Sequence, residues 1–93
     1  MRFEWDEAKA RRNLRNHGVS LREASLAFDD PDAIEGYDES HSKLESRQWL
    51  LGMSPRHRIL LVVFTERHGD VVRLISARKA NREERELYED EKS

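Results

Sequence analysis

The chain has no cysteine, which removes disulfides and thiolate metal sites and fits a reducing cytosol. It also lacks a long apolar run. The longest, Ile59 to Phe64, is six residues, against the roughly 20 that a membrane-spanning helix needs. The start, Met1-Arg2-Phe3-Glu4, carries charges where a secretion signal needs an apolar stretch. The expected location is therefore cytoplasmic, without membrane contact. Glycine is scarce, four residues in 93, and the sequence contains neither a glycine-rich phosphate loop nor a glycine-flanked nucleophilic serine. An excess of positive charge is missing too: the net charge is −2. A protein that coats nucleic acid non-specifically draws its affinity from neutralised phosphates and released counterions. Any contact of this chain with RNA or DNA must therefore be local.

The charge that is present is unevenly placed. Residues 29–50 carry seven acids against two bases, residues 51–79 six bases against two acids, and residues 80–93 six acids against three bases. The middle segment could offer a basic strand region to a phosphate backbone, or all three could be solvated surface of mixed sign. At 93 residues the whole chain, 1–93, reads as one domain with a compact core.

Hydrophobic period and capping residues divide the chain into elements. Phe3 to Trp5 reads as a short strand. Asp6 is a helix N-cap with Glu7 in the first turn, and the helix runs to about Asn16, with Ala10 and Leu14 facing inward and Gly18 as its left-handed stop. Ser20 and Glu23 form a capping-box pattern for a second helix with an apolar face of Leu21, Ala24, Ala27 and Phe28, closed by Asp29-Asp30-Pro31. Ala33 to Tyr37 and Arg47 to Met53 follow as strands, the second with Trp49 and Leu51 on one face and Gln48 and Leu50 on the other. Arg58 to Glu66 is apolar on both faces between Ile59 and Phe64, the mark of a central strand. A turn at His68-Gly69-Asp70 leads to a strand over Val71 to Ala77. A charged helix from Arg82 to Glu89, begun by Ala80 or Asn81 and anchored by Leu87 and Tyr88, ends the chain. The fold class that follows is α+β: two N-terminal helices packed on a three- to four-stranded antiparallel sheet, with a C-terminal helix at an edge or on the other face.

Three constellations could carry chemistry. A two-residue turn at Gly69-Asp70 puts Glu66 opposite Arg73, and one at His68-Gly69 makes them diagonal neighbours. Either way they share a sheet face, with Arg67 and Arg78 on the other, unless a bulge intervenes. Glu66 is then a general base held by Arg73, or the two are a cross-strand ion pair. Arg78 and Lys79, at the end of a strand, offer a guanidinium fork and a mobile ammonium to a phosphate, or form a solvated strand end. Lys9, Asn13 and His17 stack at i, i+4 and i+8 along one helical face. His17 is either a proton shuttle or a cap on the helix C-terminus. The remaining histidines, His41, His57 and His68, show no metal-ligand spacing. Asp38-Glu39-Ser40-His41 holds ligand-type side chains in what reads as a loop, so no metal is expected.

Several of these blocks together resemble the BrnT family, the toxins of a bacterial type II toxin–antitoxin system. They are Phe3-Glu4-Trp5-Asp6-Glu7-Ala8-Lys9, Asn13, His17-Gly18-Val19-Ser20, Ala27-Phe28-Asp29-Asp30-Pro31, Leu61-Val62-Val63-Phe64-Thr65-Glu66-Arg67 and Arg73-Leu74-Ile75-Ser76-Ala77-Arg78-Lys79-Ala80. The resemblance implies a fold like that of RelE and ParE toxins and a ribonuclease that inhibits translation and growth. It also implies neutralisation by a BrnA-like antitoxin, with toxin and antitoxin in a heterotetramer and operator DNA bound only through the antitoxin's ribbon-helix-helix module. RNA carries its own nucleophile, the 2′-hydroxyl, so no cofactor is expected. The expected catalytic residues are Glu66, Arg67, Arg73, Arg78 and His17, and the expected RNA contacts are Lys9, Asn13 and Lys79. The rival reading is a non-catalytic protein that poisons a protein target, as ParE-like toxins poison DNA gyrase, or that serves only as an operon co-repressor.

Overall fold

The computed structural model describes residues 1–38 and 46–92. Their elements run β1 (Arg2–Glu4), α1 (Glu7–His17), α2 (Leu21–Leu26), a single 3₁₀ turn (Ala27–Asp29), β2 (Ile34–Tyr37), β3 (Gln48–Met53), β4 (Ile59–Arg67), β5 (Val71–Lys79) and α3 (Arg82–Lys92). Each helix begins where a side chain takes up free amides. The Asp6 carboxylate accepts from the N–H groups of Ala8 (2.8 Å) and Lys9 (3.3 Å). Gly18, at φ 68°, closes α1 by donating its N–H to the Leu14 carbonyl. Asn81 and Glu84 cap α3 reciprocally, each side chain accepting the other's N–H at 2.8 Å. The expected box on α2 is only half formed: Ser20 Oγ accepts from Glu23 N–H at 3.0 Å, while the Glu23 carboxylate turns away.

That carboxylate is buried, 7 % exposed. It accepts from Arg58 Nε at 2.9 Å and from Ser54 Oγ at 2.7 Å. The Arg58 guanidinium holds it below the ordinary glutamate range, against the desolvation that pushes it up. A charge at that depth persists because it is paired and hydrogen-bonded, and the pairing ties α2 to the turn between β3 and β4.

The sheet order is β1-β5-β4-β3-β2. Strands β2 to β5 form the expected antiparallel sheet, with β4 at its centre. The strand at Phe3 joins as a fifth, parallel to β5, in the register Arg2–Val71, Phe3–Val72, Glu4–Arg73. No hairpin joins β1 to β5, so turn geometry does not dictate their direction.

The inner face presents Leu50, Leu60, Val62, Phe64, Val72, Leu74 and Ala77 to Val19 and to Leu21, Ala24 and Ala27. Phe3, Phe28 and Phe64 line up edge to face, with centroids 5.0 Å apart at each step. Full burial of Leu21 alone is worth roughly 1.5–3 kcal/mol. On the outer face Leu51 packs with Ala80 and Tyr88. Helix α3 is fastened there by the Tyr88 hydroxyl, which donates to Asp30 Oδ2 at 2.5 Å; the same oxygen accepts from Met53 N–H at 2.8 Å. Helix α1 departs from the expected pattern: Leu14 is half exposed, and the buried residue of the helix is Asn13.

Candidate functional site

The register of the β4–β5 hairpin decides which charged groups meet. Arg67 pairs with Val71 across a three-residue loop, His68-Gly69-Asp70, with Gly69 at φ 72° and Asp70 at φ 63°. Each two-residue turn weighed from the sequence would shift this pairing by one residue. In the observed register Glu66 opposes Val72 and belongs to the inner face, whereas Arg73 opposes Thr65 on the outer face. Glu66 and Arg73 therefore do not share a face, and Glu66 does not hold or meet Arg73 as a base. A bulge between Val63 and Phe64, opposite the extra residue Ile75, then restores the alternation so that Ala77 points inward and Arg78 outward. As a result Arg67, Arg73 and Arg78 lie on one face, the outer one.

At the end of that face away from Leu51 and Tyr88, side chains from four elements surround a recess of about 110 Å³. Its polar lining is Lys9 from the first turn of α1, Arg47 just before β3, Thr65 from β4 and Arg73 from β5, with Asp6 at the rim. Leu74 and Ile75, beside the bulge, complete the wall. Because β1 ends at Glu4, opposite Arg73, β5 beyond that point is an edge, and the start of α1 reaches the recess past it. Arg73 donates to Glu4 Oε2 at 2.5 Å, a partly exposed pair. Asp6 is held below the usual carboxylate range by the Lys9 and Ala8 amides and, less strongly, by the Lys9 and Arg73 charges. The recess thus gathers three cations and a hydroxyl, one of its two nearby carboxylates facing a helix N-terminus and the other paired to Arg73.

The other expected site residues are placed elsewhere. Asn13 is 6 % exposed. Its Nδ2 donates to the carbonyls of Val19 (2.9 Å) and Ala77 (2.8 Å), and its Oδ1 accepts from Ala77 N–H at 3.1 Å. It takes the place of a neighbouring strand for Ala77, whose N–H and C=O lie on the β5 edge beyond β1. Asn13 is a backbone clamp, its side-chain amide engaged by Val19 and Ala77. His17, exposed in the last turn of α1, lies eight residues from Lys9, roughly 12 Å along the axis, and does not line the recess.

Arg78 is also on the outer face, but it grips Glu84 with both terminal nitrogens, at 2.8 and 2.9 Å. That hydrogen-bonded pairing raises the Arg78 pKa and lowers that of Glu84. Arg78 therefore fastens the capping turn of α3, and it is not the open phosphate clamp expected from the sequence. Lys79 opposes Leu60 and emerges on the inner side. Arg67 is exposed on the outer face, beyond Thr65. Among the described residues no three histidine, aspartate or glutamate side chains converge as a metal-ligand group. Residues 39–41 of the Asp38–His41 run lie outside the described residues.

Sequence reasoning passed over Arg47 and Thr65. The signal for Arg47 was available: it precedes Trp49 by two residues, so strand alternation puts it on the Trp49 face. Thr65 was hidden by the register, since only the pairing with Arg73 brings it into the row.

Two comparisons bear on this arrangement. A crystal structure of the Brucella abortus ribonuclease toxin BrnT superposes with a TM-score of 0.67 at 23 % identity, over 88 % of this chain and 99 % of that one. At that identity it establishes the shared fold. No curated protein matches the chain significantly. Residues 5–84 match the family model described as the ribonuclease toxin, BrnT, of a type II toxin–antitoxin system. That span takes in both N-terminal helices, strands β2 to β5 and the capping turn of α3. The chain therefore belongs to the BrnT family of type II toxin–antitoxin toxins.

Proposed function

We propose that this chain is an endoribonuclease that cleaves RNA without a metal ion, inhibiting translation and growth, and that the recess at Arg73 is where it stabilises the scissile phosphate. The observation that carries the reading is the convergence of Lys9 and Arg73 with Arg47 and Thr65 on the outer face of a fold shared with a ribonuclease toxin. In RNA cleavage of this kind the 2′-hydroxyl attacks the adjacent phosphorus and the 5′-oxygen leaves. The protein then has to stabilise the negative charge growing on the phosphoryl oxygens. Guanidinium forks match those oxygens in pairs, and a lysine supplies a mobile point charge. Arg73 and Lys9 take this role, with Arg67 holding the strand as it runs along the open face. Glu66 on the inner face and His17 at the far end of α1 both lie outside the recess, so the reading gives it the electrostatic part of catalysis.

A type II toxin has an antitoxin partner. For this chain we assign that part to a BrnA-like ribbon-helix-helix protein, which would form a heterotetramer with it in the cytoplasm and carry the operator-DNA contact.

The decisive experiment is incubation of the purified chain with single-stranded RNA in the presence of a chelator. Fragments ending in 2′,3′-cyclic phosphate are the expected product, and Arg73→Ala should form them about 10²–10³-fold more slowly while melting like the parent. Intact RNA together with broken or relaxed plasmid DNA would replace this reading with a protein-poison mechanism.

A further inference from the structure

The central strand is apolar on both faces, and only one of them is fully covered. On the inner side Leu60 and Val62 of β4 are buried completely. Their outer neighbours Leu61 and Val63 are half-buried, as is Trp49, which pairs with Val63 from β3. Helix α3 covers that side with only two large apolar side chains, Leu87 and Tyr88. Tyr88 is buried, but Leu87 remains 43 % exposed. Two recesses meet at Leu87 and Trp49, and together they form one groove. The first is floored by Trp49, Leu51, Leu61 and Val63, the second by Trp49 and Ile34. Asp38 and Glu84 stand at the first, Glu35 and Glu91 at the second, and among the described residues no basic side chain lines either. Glu84 is taken up by Arg78, whereas Glu35 and Glu91 are exposed.

We infer that this groove is where the antitoxin docks, through an amphipathic helix that seats two apolar side chains, one turn apart, on either side of Leu87 and turns Lys or Arg toward Glu35 and Glu91. This rests on the antitoxin partner that the family implies, and not on RNA cleavage. The occupant is a helix because the backbone groups of β3 and β4 beneath the groove are already paired within the sheet. An extended segment laid there would bury unpaired N–H and C=O groups, whereas a helix pairs its own. Side chains at i and i+4 then straddle a single knob such as Leu87. The occupant is basic because acids alone stand at the second recess. A second copy of this chain suits the groove poorly, since a twofold contact sets each patch against itself, here acid against acid. Position supplies the consequence. Thr65 follows Val63 by two residues and Arg47 precedes Trp49 by two, about 7 Å along each strand, and both line the recess at Arg73. A helix is about 10–12 Å across, so one seated in the groove crowds the mouth of that recess and obstructs RNA without contacting Arg73.

The test is calorimetric titration of the purified chain with the antitoxin encoded in the same operon. Parent binding should saturate and should weaken as salt is raised. Leu87→Glu should weaken it at least tenfold. Glu35→Lys combined with Glu91→Lys changes only exposed positions, which a folded chain tolerates; it should do the same and flatten the salt dependence. Leu26→Glu is the control. That leucine is 42 % exposed but lies on α2, and binding should be unchanged. RNA cleavage by each variant alone should match the parent, and cleavage by Leu87→Glu should persist at an antitoxin concentration that silences the parent. Equal affinity in the parent, Leu87→Glu and the double reversal would overturn the inference, as would an equal loss at Leu26→Glu. Self-association of the chain that Leu87→Glu abolishes would give the groove to a second copy and overturn it too. The proposals fail separately. No binding to the parent removes the antitoxin assignment, and this inference with it. A chain that cleaves RNA but binds its antitoxin elsewhere loses only this inference, and one that binds through the groove but leaves RNA intact loses only the ribonuclease reading.

Discussion

The two faces of the sheet use polar side chains for opposite purposes. On the inner side Asn13 and Glu23 are buried, and their polar atoms are matched by backbone groups or by a fixed cation. On the outer side Lys9, Arg47 and Arg73 surround a space. In the sequence Asn13 and Lys9 look like neighbours on one helical stripe. What separates them is whether the backbone needs the group. Ala77 at the edge of β5 has an N–H and a C=O to satisfy, and Asn13 satisfies both. No such demand falls on Lys9. A polar group absorbed by the backbone holds the fold, whereas Lys9 lines the recess.

The comparison breaks most visibly at the buried ion pair. Arg58→Ala leaves the Glu23 carboxylate with Ser54 and the exposed Arg56 at 3.8 Å and should cost roughly 3 kcal/mol in urea unfolding, with RNA cleavage by the remaining folded fraction unchanged. The same pair sets an acid limit. Because the folded pKa of Glu23 is depressed, its contribution is present above the unfolded glutamate value and is lost as pH falls through the folded one. Parent stability should therefore decline below about pH 4.5, and Glu23→Gln should flatten that decline while starting from a lower plateau.

On the outer face the effect should appear in rate rather than stability. Arg73→Ala should lower cleavage by about 10²–10³-fold, the usual consequence of removing one donor to a developing oxyanion. Among the described residues its ion-pair partner is partly exposed Glu4, and such pairs contribute about 0–1 kcal/mol, so the thermal midpoint should barely move. A large drop in that midpoint would make Arg73 another clamp and erase the distinction between the faces.

Asn13 offers the reverse test. Asn13→Ala leaves backbone groups of Val19 and Ala77 without partners and should cost about 3 kcal/mol. Asn13→Asp should fare no better, since a carboxylate cannot donate to the two carbonyls. The smallest expected effect is at Arg78. Its pair with Glu84 is more than a third exposed, so Arg78→Ala should cost at most about 1 kcal/mol and reduce cleavage far less than Arg73→Ala. The contrast between those two arginines on the same face is the sharpest measure of where the chemistry sits.

Much of the architecture was readable in advance because it depends on local rules. Asp6, Gly18, Ser20 and Asn81 mark helix ends through groups within a few residues of themselves. The doubly apolar run of β4 placed it at the centre of the sheet. The site was less legible. Its geometry depends on a three-residue loop in place of a two-residue one, and a one-residue slip moves every side chain to the other face. The bulge at Ile75 then reverses the alternation, so Arg73 and Arg78 reach the same side although they are five residues apart.

The sequence by itself determined the elements, their caps, the α+β class and the family, because capping chemistry, hydrophobic period and motif spacing are written within short stretches of chain. It also supplied the cations. Only the tertiary structure decided which cations meet, because Lys9, Arg47, Thr65 and Arg73 come from four elements joined by strand register and a helix docked at a sheet edge. The same packing settled which polar groups were not available. Asn13 was claimed by the edge of β5, Arg78 by the cap of α3, and Glu66 by the inner face. Those assignments follow from the need to pair backbone groups and to desolvate few charges, a need that arises only once distant segments are brought into contact.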